Sequence, residues 1–110
     1  MTGGRRYLFV CGKNRHRSPT AGQIFADNPR LTVLSAGLAE DSDLVLDAEM
    51  LEWADRVFVM ESRHRKAVET RFGKSARSAP VVVLGIRDNY RFMDPALIRL
   101  LRAKMTPYLP

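Results

Sequence analysis

The sequence predicts one α/β domain spanning residues 1–110, in which a four-stranded parallel sheet is flanked by helices on both faces. Two observations lead to this fold class. Four short apolar segments alternate with four segments of helical character, in the order β-α-β-α-β-α-β-α. Connections that contain a helix favour parallel pairing and cover both faces of the sheet, and 110 residues suit a single domain.

The four apolar segments have the length and composition of buried strands. Each has four to seven residues and is rich in Val, Leu or aromatic side chains. In chain order they are Arg6 to Val10, Leu31 to Leu34, Arg56 to Met60, and Pro80 to Ile86. Because the last is the most apolar, we expect it to be a central strand of the sheet.

The first helix is predicted from a strong start and a strong stop. Ser18 is a favoured N-cap and Pro19 is favoured at the first helical position. The helix is expected to reach about Asp27 with Phe25 facing inward, because Asn28-Pro29 cannot continue it.

The other three helices also begin at capping residues, which are Asp47, Ser62 and Asp94. Pro95 favours the first turn of the last helix, and Gly73 ends the third. Apolar residues at helical spacing indicate the buried sides. They are Met50, Leu51 and Trp53 in the second helix, and Leu97, Ile98, Leu101 and Met105 in the fourth.

Positive charge is concentrated near the N-terminus. The net charge is +6, and residues 1–26 contain five basic residues and no acidic one. Residues 27–110 are almost balanced. A local positive field attracts anionic ligands, although the same charges also suit a solvated surface or attraction to nucleic acid.

Composition also bounds the setting of the protein. The only cysteine, Cys11, cannot form an internal disulfide, so we expect a reducing cytoplasm. We expect no metal or cofactor, because metal-ligating residue types are not clustered. No apolar run approaches the roughly 20 residues that span a bilayer, so no membrane association is expected. The apolar segment after Arg5-Arg6 is too short for a signal peptide.

The most informative segment joins the first strand to the first helix, and we call residues 11–18 the Cys11 loop. Free N–H groups at a helix start, together with loop amides, bind anions. Gly12 is expected to ease the turn, and Arg17 offers a planar, permanently charged fork for phosphate oxygens. The same surroundings stabilise a nucleophilic thiolate at Cys11. Ser18 can hydrogen-bond that sulfur, and Asn14 can fix the loop through its amide.

Residues that follow strands meet at one edge of a parallel sheet. Cys11, Ser35, Glu61 and Asp88 each lie at or just after the end of a predicted strand. We therefore expect these four residues to converge.

Three motifs occur in the order Cys11 to Ser18 with Pro19-Thr20-Ala21, then Ser35-Ala36-Gly37, then Val57 to Glu61. They resemble the low-molecular-weight protein tyrosine phosphatases. Two further motifs, Trp53-Ala54-Asp55 and Met93-Asp94-Pro95, are similar to those of a short bacterial branch, which is the closest likeness. The resemblance follows the same order as in that family and covers most of the chain. It implies a phosphotyrosine phosphatase I-like fold.

The resemblance implies a two-step hydrolysis of an aryl phosphate, with phosphotyrosine in a protein as the expected substrate. Cys11 would form a phosphocysteine, and Arg17 with the loop amides would hold the phosphate oxygens. An aspartate would protonate the leaving group and then activate water. The implied phosphate-binding residues, which would also hold inorganic phosphate or sulfate, are Gly12, Lys13, Asn14, Arg15, His16, Arg17 and Ser18.

The sequence departs from the family inside the loop. His16 replaces a second cysteine, so a protective disulfide cannot form there, and we expect its imidazole to face solvent. Lys13 occupies the usual glycine position, where it either adds charge to the pocket or faces solvent. His64, in the basic run Arg63 to Lys66, is expected on a solvated helix face.

Two aspartates are candidates for the general acid, and a third alternative is that neither of them serves. Asp94 precedes proline as in the family, but it is also an ideal N-cap. Asp88 lies directly after the fourth strand and is favoured, with nearby Tyr90 able to stack on substrate. Ser35, Tyr90 and Asp94 are therefore possible substrate-contacting or supporting residues.

Two other functions remain compatible with the sequence. One is a non-catalytic module that binds phosphorylated ligands or nucleic acid through the Cys11 loop. The other is arsenate reduction, which would need an external thiol because no second cysteine can resolve the intermediate.

Overall fold

The computed structural model describes residues 4–110 and has the predicted alternation of strands and helices. The strands are β1 (Arg5–Cys11), β2 (Leu31–Gly37), β3 (Arg56–Val59) and β4 (Val81–Val83). The helices are α1 (Arg17–Phe25), α2 (Ala48–Trp53), α3 (Ser62–Phe72) and α4 (Pro95–Met105), with short 3-10 helices at Ser75–Arg77 and Thr106–Tyr108. All strand pairs are parallel, in the order β2-β1-β3-β4, so the predicted fold class is confirmed.

The sheet separates two hydrophobic cores. Tyr7 and Phe9 of β1 pack with side chains of α1 and α4 on one face. Leu8 and Val10, which alternate with them, pack with side chains of α2 and α3 on the other. Helices on both faces, as predicted, leave β1 buried between them and fix its C-terminal residue, Cys11.

The prediction that Pro80 to Ile86 forms a central strand is wrong. β4 pairs only with β3 and is an edge strand, and regular pairing ends at Val83. Leu84 and Ile86 nevertheless remain buried. Their N–H groups donate to the carbonyls of Val59 and Met60, at 2.9 and 2.8 Å respectively. The segment is apolar because helices cover both of its faces. An edge strand can be covered in this way, so an apolar sequence does not show that a strand has neighbours on both sides.

Two predicted helix starts are also displaced. Helix α1 begins at Arg17, and the hydroxyl of Ser18 turns toward Cys11 instead of capping the helix. Helix α3 has Glu61 as its N-cap, and Ser62 is its first residue. In both places the side chain at the helix start is held by a tertiary contact that local sequence does not reveal.

The caps predicted for the other two helices are confirmed. Asp47 accepts a hydrogen bond from the N–H of Met50 at 2.8 Å, and Asp94 accepts one from the N–H of Ala96 at 2.8 Å. Among residues 4–110, no helix has both the length and the apolar character needed to cross a membrane.

Candidate active site

The thiol of Cys11 is enclosed by its own loop. Only 3% of the residue is exposed. The backbone N–H of Asn14 donates to Sγ at 3.2 Å, and the hydroxyl oxygen of Ser18 lies 2.9 Å from Sγ. The Asn14 N–H suits a thiolate as it stands, and the Ser18 hydroxyl, whose single hydrogen can go to the sulfur or to Asn14 Oδ1, can supply a second donor.

Asn14 fixes the shape of the loop. Its φ is +53°, in the left-handed region that Asn adopts more readily than most residues. Its side-chain oxygen accepts from the Ser18 hydroxyl at 2.8 Å, and its amide donates to the carbonyl of Ser35 at 3.3 Å. Ser35 thus supports the loop through its backbone carbonyl. Ser35 is not among the residues that line the cavity beside Cys11.

Arg17 joins the loop to the ends of two other strands. It is 3% exposed, and its Nη1 donates to Glu61 Oε2 at 2.6 Å and to the carbonyl of Ile86 at 2.8 Å. Its Nε lies 3.8 Å from Asp88 Oδ1. A buried cation is tolerable only with such partners. Of the four residues expected to converge, Glu61 and Asp88 lie beside this arginine and Cys11 lines the same cavity, whereas Ser35 reaches the loop only through its carbonyl.

Glu61 is the main counter-ion of Arg17. Hydrogen bonds from Arg63, at 3.0 Å, and from Arg17 lower the pKa of Glu61 to about 2, although partial burial acts in the opposite direction. Glu61 therefore remains a carboxylate at neutral pH, and it is an acceptor for both arginines.

The prediction that His64 lies on a solvated face is wrong, since the residue is 3% exposed. His64 is the third residue of α3, and its Nδ1 accepts from the N–H of Glu61 at 3.1 Å. Burial, followed by the positive charge of Arg17, lowers the pKa of His64 to about 4, so the ring is neutral. The basic neighbours of His64 obscured this position. His64 lies four residues before Val68, which is also buried, and this helical spacing is the sequence feature that indicates an inward-facing position.

Cys11, Arg17 and Asp88 line a cavity of about 440 Å³ at the edge of the sheet. Its lining consists of Cys11, Gly12, Lys13, Arg15, His16, Arg17, Ala39, Arg63 and Asp88. No Phe, Tyr or Trp side chain of residues 4–110 belongs to that lining.

Of the residues expected to contact or support a substrate outside the Cys11 loop, some line the cavity and others do not. Asp88 is exposed and lines the cavity, whereas Asp94 caps α4 and Tyr90 packs against the core on the α1 and α4 side. Gly12 was expected to ease the turn, but it has no positive φ and a Cβ there would meet nothing within 4 Å. The absence of a side chain at Gly12 instead leaves cavity space open.

Residues 38–43 form a brace along the Cys11 loop. Backbone N–H groups of this segment donate to the carbonyls of Cys11, Gly12 and Lys13 at 3.0, 2.8 and 3.2 Å. Asp41 lies 3.3 Å from Lys13 and 3.7 Å from Arg15. The hydrogen bond from Lys13 is the main cause that lowers the pKa of Asp41. His16 is exposed as expected, and Lys13 is exposed although it also lines the cavity.

The fold is that of the low-molecular-weight phosphatases, which confirms the fold implied by the sequence resemblance. Wzb of Vibrio vulnificus, in complex with benzylphosphonate, superposes with a TM-score of 0.75 at 22% identity, over 96% of this chain and 97% of that chain. The YwlE arginine phosphatase of Geobacillus stearothermophilus gives 0.70 at 23% identity, over 93% and 86%. The Erwinia amylovora tyrosine phosphatase AmsI gives 0.72 at 23% identity, over 96% and 91%.

Comparisons based on sequence gave no match, either to a protein-family model or to a curated protein. At 22–23% identity, the likeness to these three structures concerns the fold.

Proposed function

We propose that this protein is a phosphomonoesterase that hydrolyses aryl phosphates, with phosphotyrosine in a protein as its substrate, through a phosphocysteine on Cys11. One observation carries the proposal: the buried Cys11 sulfur and the buried Arg17 guanidinium lie in the lining of one open cavity. A thiolate beside a fixed guanidinium suits attack on phosphorus, because the cation stabilises the equatorial oxygens as charge develops.

In the first step the Cys11 thiolate attacks phosphorus, an S–P bond forms, and the bond from phosphorus to the leaving oxygen breaks. Arg17 and the loop amides hold the three remaining oxygens. Asp88 gives its proton to the leaving oxygen. In the second step Asp88 takes a proton from water, the water oxygen attacks phosphorus, and the S–P bond breaks. Phosphate and the thiolate are released.

The choice of Asp88 as the acid rests on its place in the cavity. Asp88 is exposed and adjoins Arg17, so a substrate leaving group in the cavity is within its reach. The carboxylate of Asp94 already accepts the N–H of Ala96 as a helix cap and is not in the cavity lining. A general acid must come within hydrogen-bond reach of the leaving oxygen, which favours the aspartate that lines the cavity.

Several structural neighbours support the anion-binding part of the proposal. Structures of Wzb from Escherichia coli K30 are named as a tyrosine phosphatase in complex with phosphate and with sulfate. We extend that chemistry to the Cys11 loop and expect this chain to bind inorganic phosphate there. A phosphorylated protein is the expected partner.

The experiment is a pH–rate profile on p-nitrophenyl phosphate. Cys11→Ser should abolish turnover. Asp88→Asn should lower kcat, and its pH–rate profile should lack the change in rate that follows protonation of the general acid. Asp94→Asn is the matched control, because Asn also caps helices and should retain wild-type kcat. Activity that survives in Cys11→Ser would reject the mechanism. Binding of phosphate without a trapped phosphocysteine would indicate the non-catalytic alternative.

A second substrate class is phosphoarginine, favoured by the character of the cavity. The described lining offers the carboxylate of Asp88 and no Phe, Tyr or Trp side chain, and one neighbour is named as an arginine phosphatase. A guanidinium leaving group would be attracted to Asp88. Comparison of kcat/KM on peptides that differ only in phosphotyrosine or phosphoarginine decides between the two classes.

A further inference from the structure

We propose that His64 is a positioning residue for Arg17, and that it acts through Glu61. The inference rests on the proposed role of Arg17 in holding phosphate, and it adds a residue outside the cavity lining. His64 does not line the cavity, but its ring is buried behind the carboxylate that fixes the arginine.

The first link joins His64 to the backbone of Glu61. The two residues are joined by reciprocal hydrogen bonds at the helix start: the His64 ring accepts the N–H of Glu61 at 3.1 Å, and the backbone carbonyl of Glu61 accepts the N–H of His64 at 3.0 Å. Both bonds fix the position from which the Glu61 side chain leaves the backbone. Since the chain enters α3 here, loss of the ring acceptor would free the start of the helix.

The second link joins Glu61 to Arg17. Oε2 of Glu61 accepts from Arg17 Nη1 at 2.6 Å and from Arg63 at 3.0 Å. The only other acceptor within hydrogen-bond distance of the Arg17 side chain, among residues 4–110, is the carbonyl of Ile86. Displacement of the Glu61 carboxylate would therefore remove one of two anchors of the guanidinium.

The ring has a second nitrogen that capping does not use. Because Nδ1 is an acceptor in a neutral ring, Nε2 carries the hydrogen. Nε2 is buried without a partner in the described structure and lies 3.8 Å from Oε2 of Glu61. A buried donor without a partner is costly. Nε2–H therefore has the same nearest oxygen as Arg17, so a phosphate held by the guanidinium should also affect the Nε2 environment.

Two variants of similar size separate the contributions of the ring. His64→Leu retains volume but removes both nitrogens, whereas His64→Gln retains an acceptor suited to the third position of a capping box. Calorimetry with inorganic phosphate should show a Kd raised about tenfold in His64→Leu, comparable to the loss of one hydrogen bond. His64→Gln should recover most of that affinity. KM for p-nitrophenyl phosphate should rise in parallel.

A matched control distinguishes positioning from general loss of stability. Asp47→Ala removes a cap from α2, a helix that contributes no residue to the cavity lining. This variant should lower the midpoint of thermal unfolding without a change in the phosphate Kd. The proposal is overturned if folded His64→Leu has the wild-type Kd, or if Asp47→Ala and His64→Leu raise it equally.

A measurement on the wild-type protein does not depend on the folding of any variant. The ¹⁵N shifts of the His64 ring must show a bare Nδ1 and a protonated Nε2, and phosphate must shift the Nε2 resonance. A proton on Nδ1, or an Nε2 resonance indifferent to phosphate, overturns the proposal. A wild type that binds phosphate but hydrolyses nothing rejects the proposed function alone. A wild type that binds no phosphate rejects both.

Discussion

Arg17 and Glu61, 44 positions apart in sequence, form an ion pair with 2.6 Å between Nη1 and Oε2 at the edge of the sheet. The arginine side chain is 3% exposed and the glutamate side chain is 27% exposed. The buried cation therefore has its counter-ion on the side nearer to solvent. Its Nε remains on the side of Asp88. This arrangement holds the guanidinium in place before a ligand arrives, which is the condition for efficient electrostatic catalysis.

Replacement of Glu61 by Gln should weaken phosphate binding and catalysis together. The amide preserves shape, but it removes the charge from the hydrogen bond to Arg17, whose contribution is roughly 1.5–3 kcal/mol. We expect kcat/KM on p-nitrophenyl phosphate to fall by at least about tenfold, with a lower free energy of unfolding in urea.

Glu69→Gln is the control for that change. Glu69 also belongs to the α3 region and pairs with an arginine, Arg65, at 3.9 Å, but both side chains are more than half exposed. Exposed pairs contribute about 0–1 kcal/mol. Equal decreases of kcat/KM in Glu61→Gln and Glu69→Gln would show that the Arg17–Glu61 pair contributes no more to catalysis than an exposed ion pair.

The order of elements could be predicted because it depends on local pattern. The alternation of apolar segments and capped helices specified the parallel sheet, and Asp47 and Asp94 cap helices where their neighbours in sequence indicated. The Cys11 loop was also visible in sequence, since its strand, loop and helix are contiguous. The edge position of β4 could not be predicted, because an edge strand covered by helices has the same apolar composition as a central strand.

The rest of the site depends on contacts between distant segments. The acceptor of the Asn14 amide is a backbone carbonyl in β2, a group that every residue possesses and that no sequence pattern marks. His64 appeared solvated because its neighbours are basic, yet the direction of α3 turns its ring inward behind Glu61. Tyr90 appeared available to a substrate, but it packs against the core. Side-chain direction at helix starts and loops is set by tertiary packing.

Gly37→Ala should disrupt the Cys11 loop from outside the cavity. A Cβ at Gly37 would collide with the Ser42 side chain and lie 2.7 Å from the backbone carbon of Lys13. Overpacking of this kind costs about 1–3 kcal/mol, and here the brace or the loop must move. We expect a lower unfolding midpoint and weaker phosphate binding by calorimetry.

Gly22→Ala is the matched comparison. Gly22 lies within α1, and its added Cβ would make ordinary contacts of 3.7 Å with Ser35. Alanine is favoured over glycine in helices by up to about 1 kcal/mol, so this variant should unfold at a higher temperature. If Gly37→Ala behaved like Gly22→Ala, close packing of the brace against the loop would be excluded.

Asn14 should show separable contributions of backbone and side chain. Asn14→Gly tolerates the φ of +53° but loses the hydrogen bonds to Ser18 and Ser35, whereas Asn14→Ala also strains the backbone. The left-handed conformation costs a residue with a Cβ roughly 1–2 kcal/mol. Urea unfolding should therefore rank wild type above Asn14→Gly and Asn14→Gly above Asn14→Ala. The reverse order for the two variants would contradict this backbone conformation.

The free energy of unfolding should fall with acid over two adjoining pH ranges. The pKa of His64 is lowered from 6.5 to about 4 in the folded chain, so above about pH 6.5 its contribution is complete. Between those values the unfolded chain binds a proton that the folded chain does not, and the free energy of unfolding decreases as pH falls. The pKa of Glu61, lowered from 4.5 to about 2, adds a second decrease between those two values.

The upper pH range can be assigned to His64 by urea unfolding at about pH 7.5 and about pH 5.5. For a single group with these pKa values, the free energy of unfolding should be about 1.3 kcal/mol lower at the lower pH. His64→Gln should lose this step, because its amide does not titrate. His16→Gln is the control: it removes the other histidine of the chain, leaves the His64 ring in place, and should retain the step. A step of the same size in His64→Gln would mean that another group binds the proton, and that the buried His64 ring is not the source of the acid sensitivity.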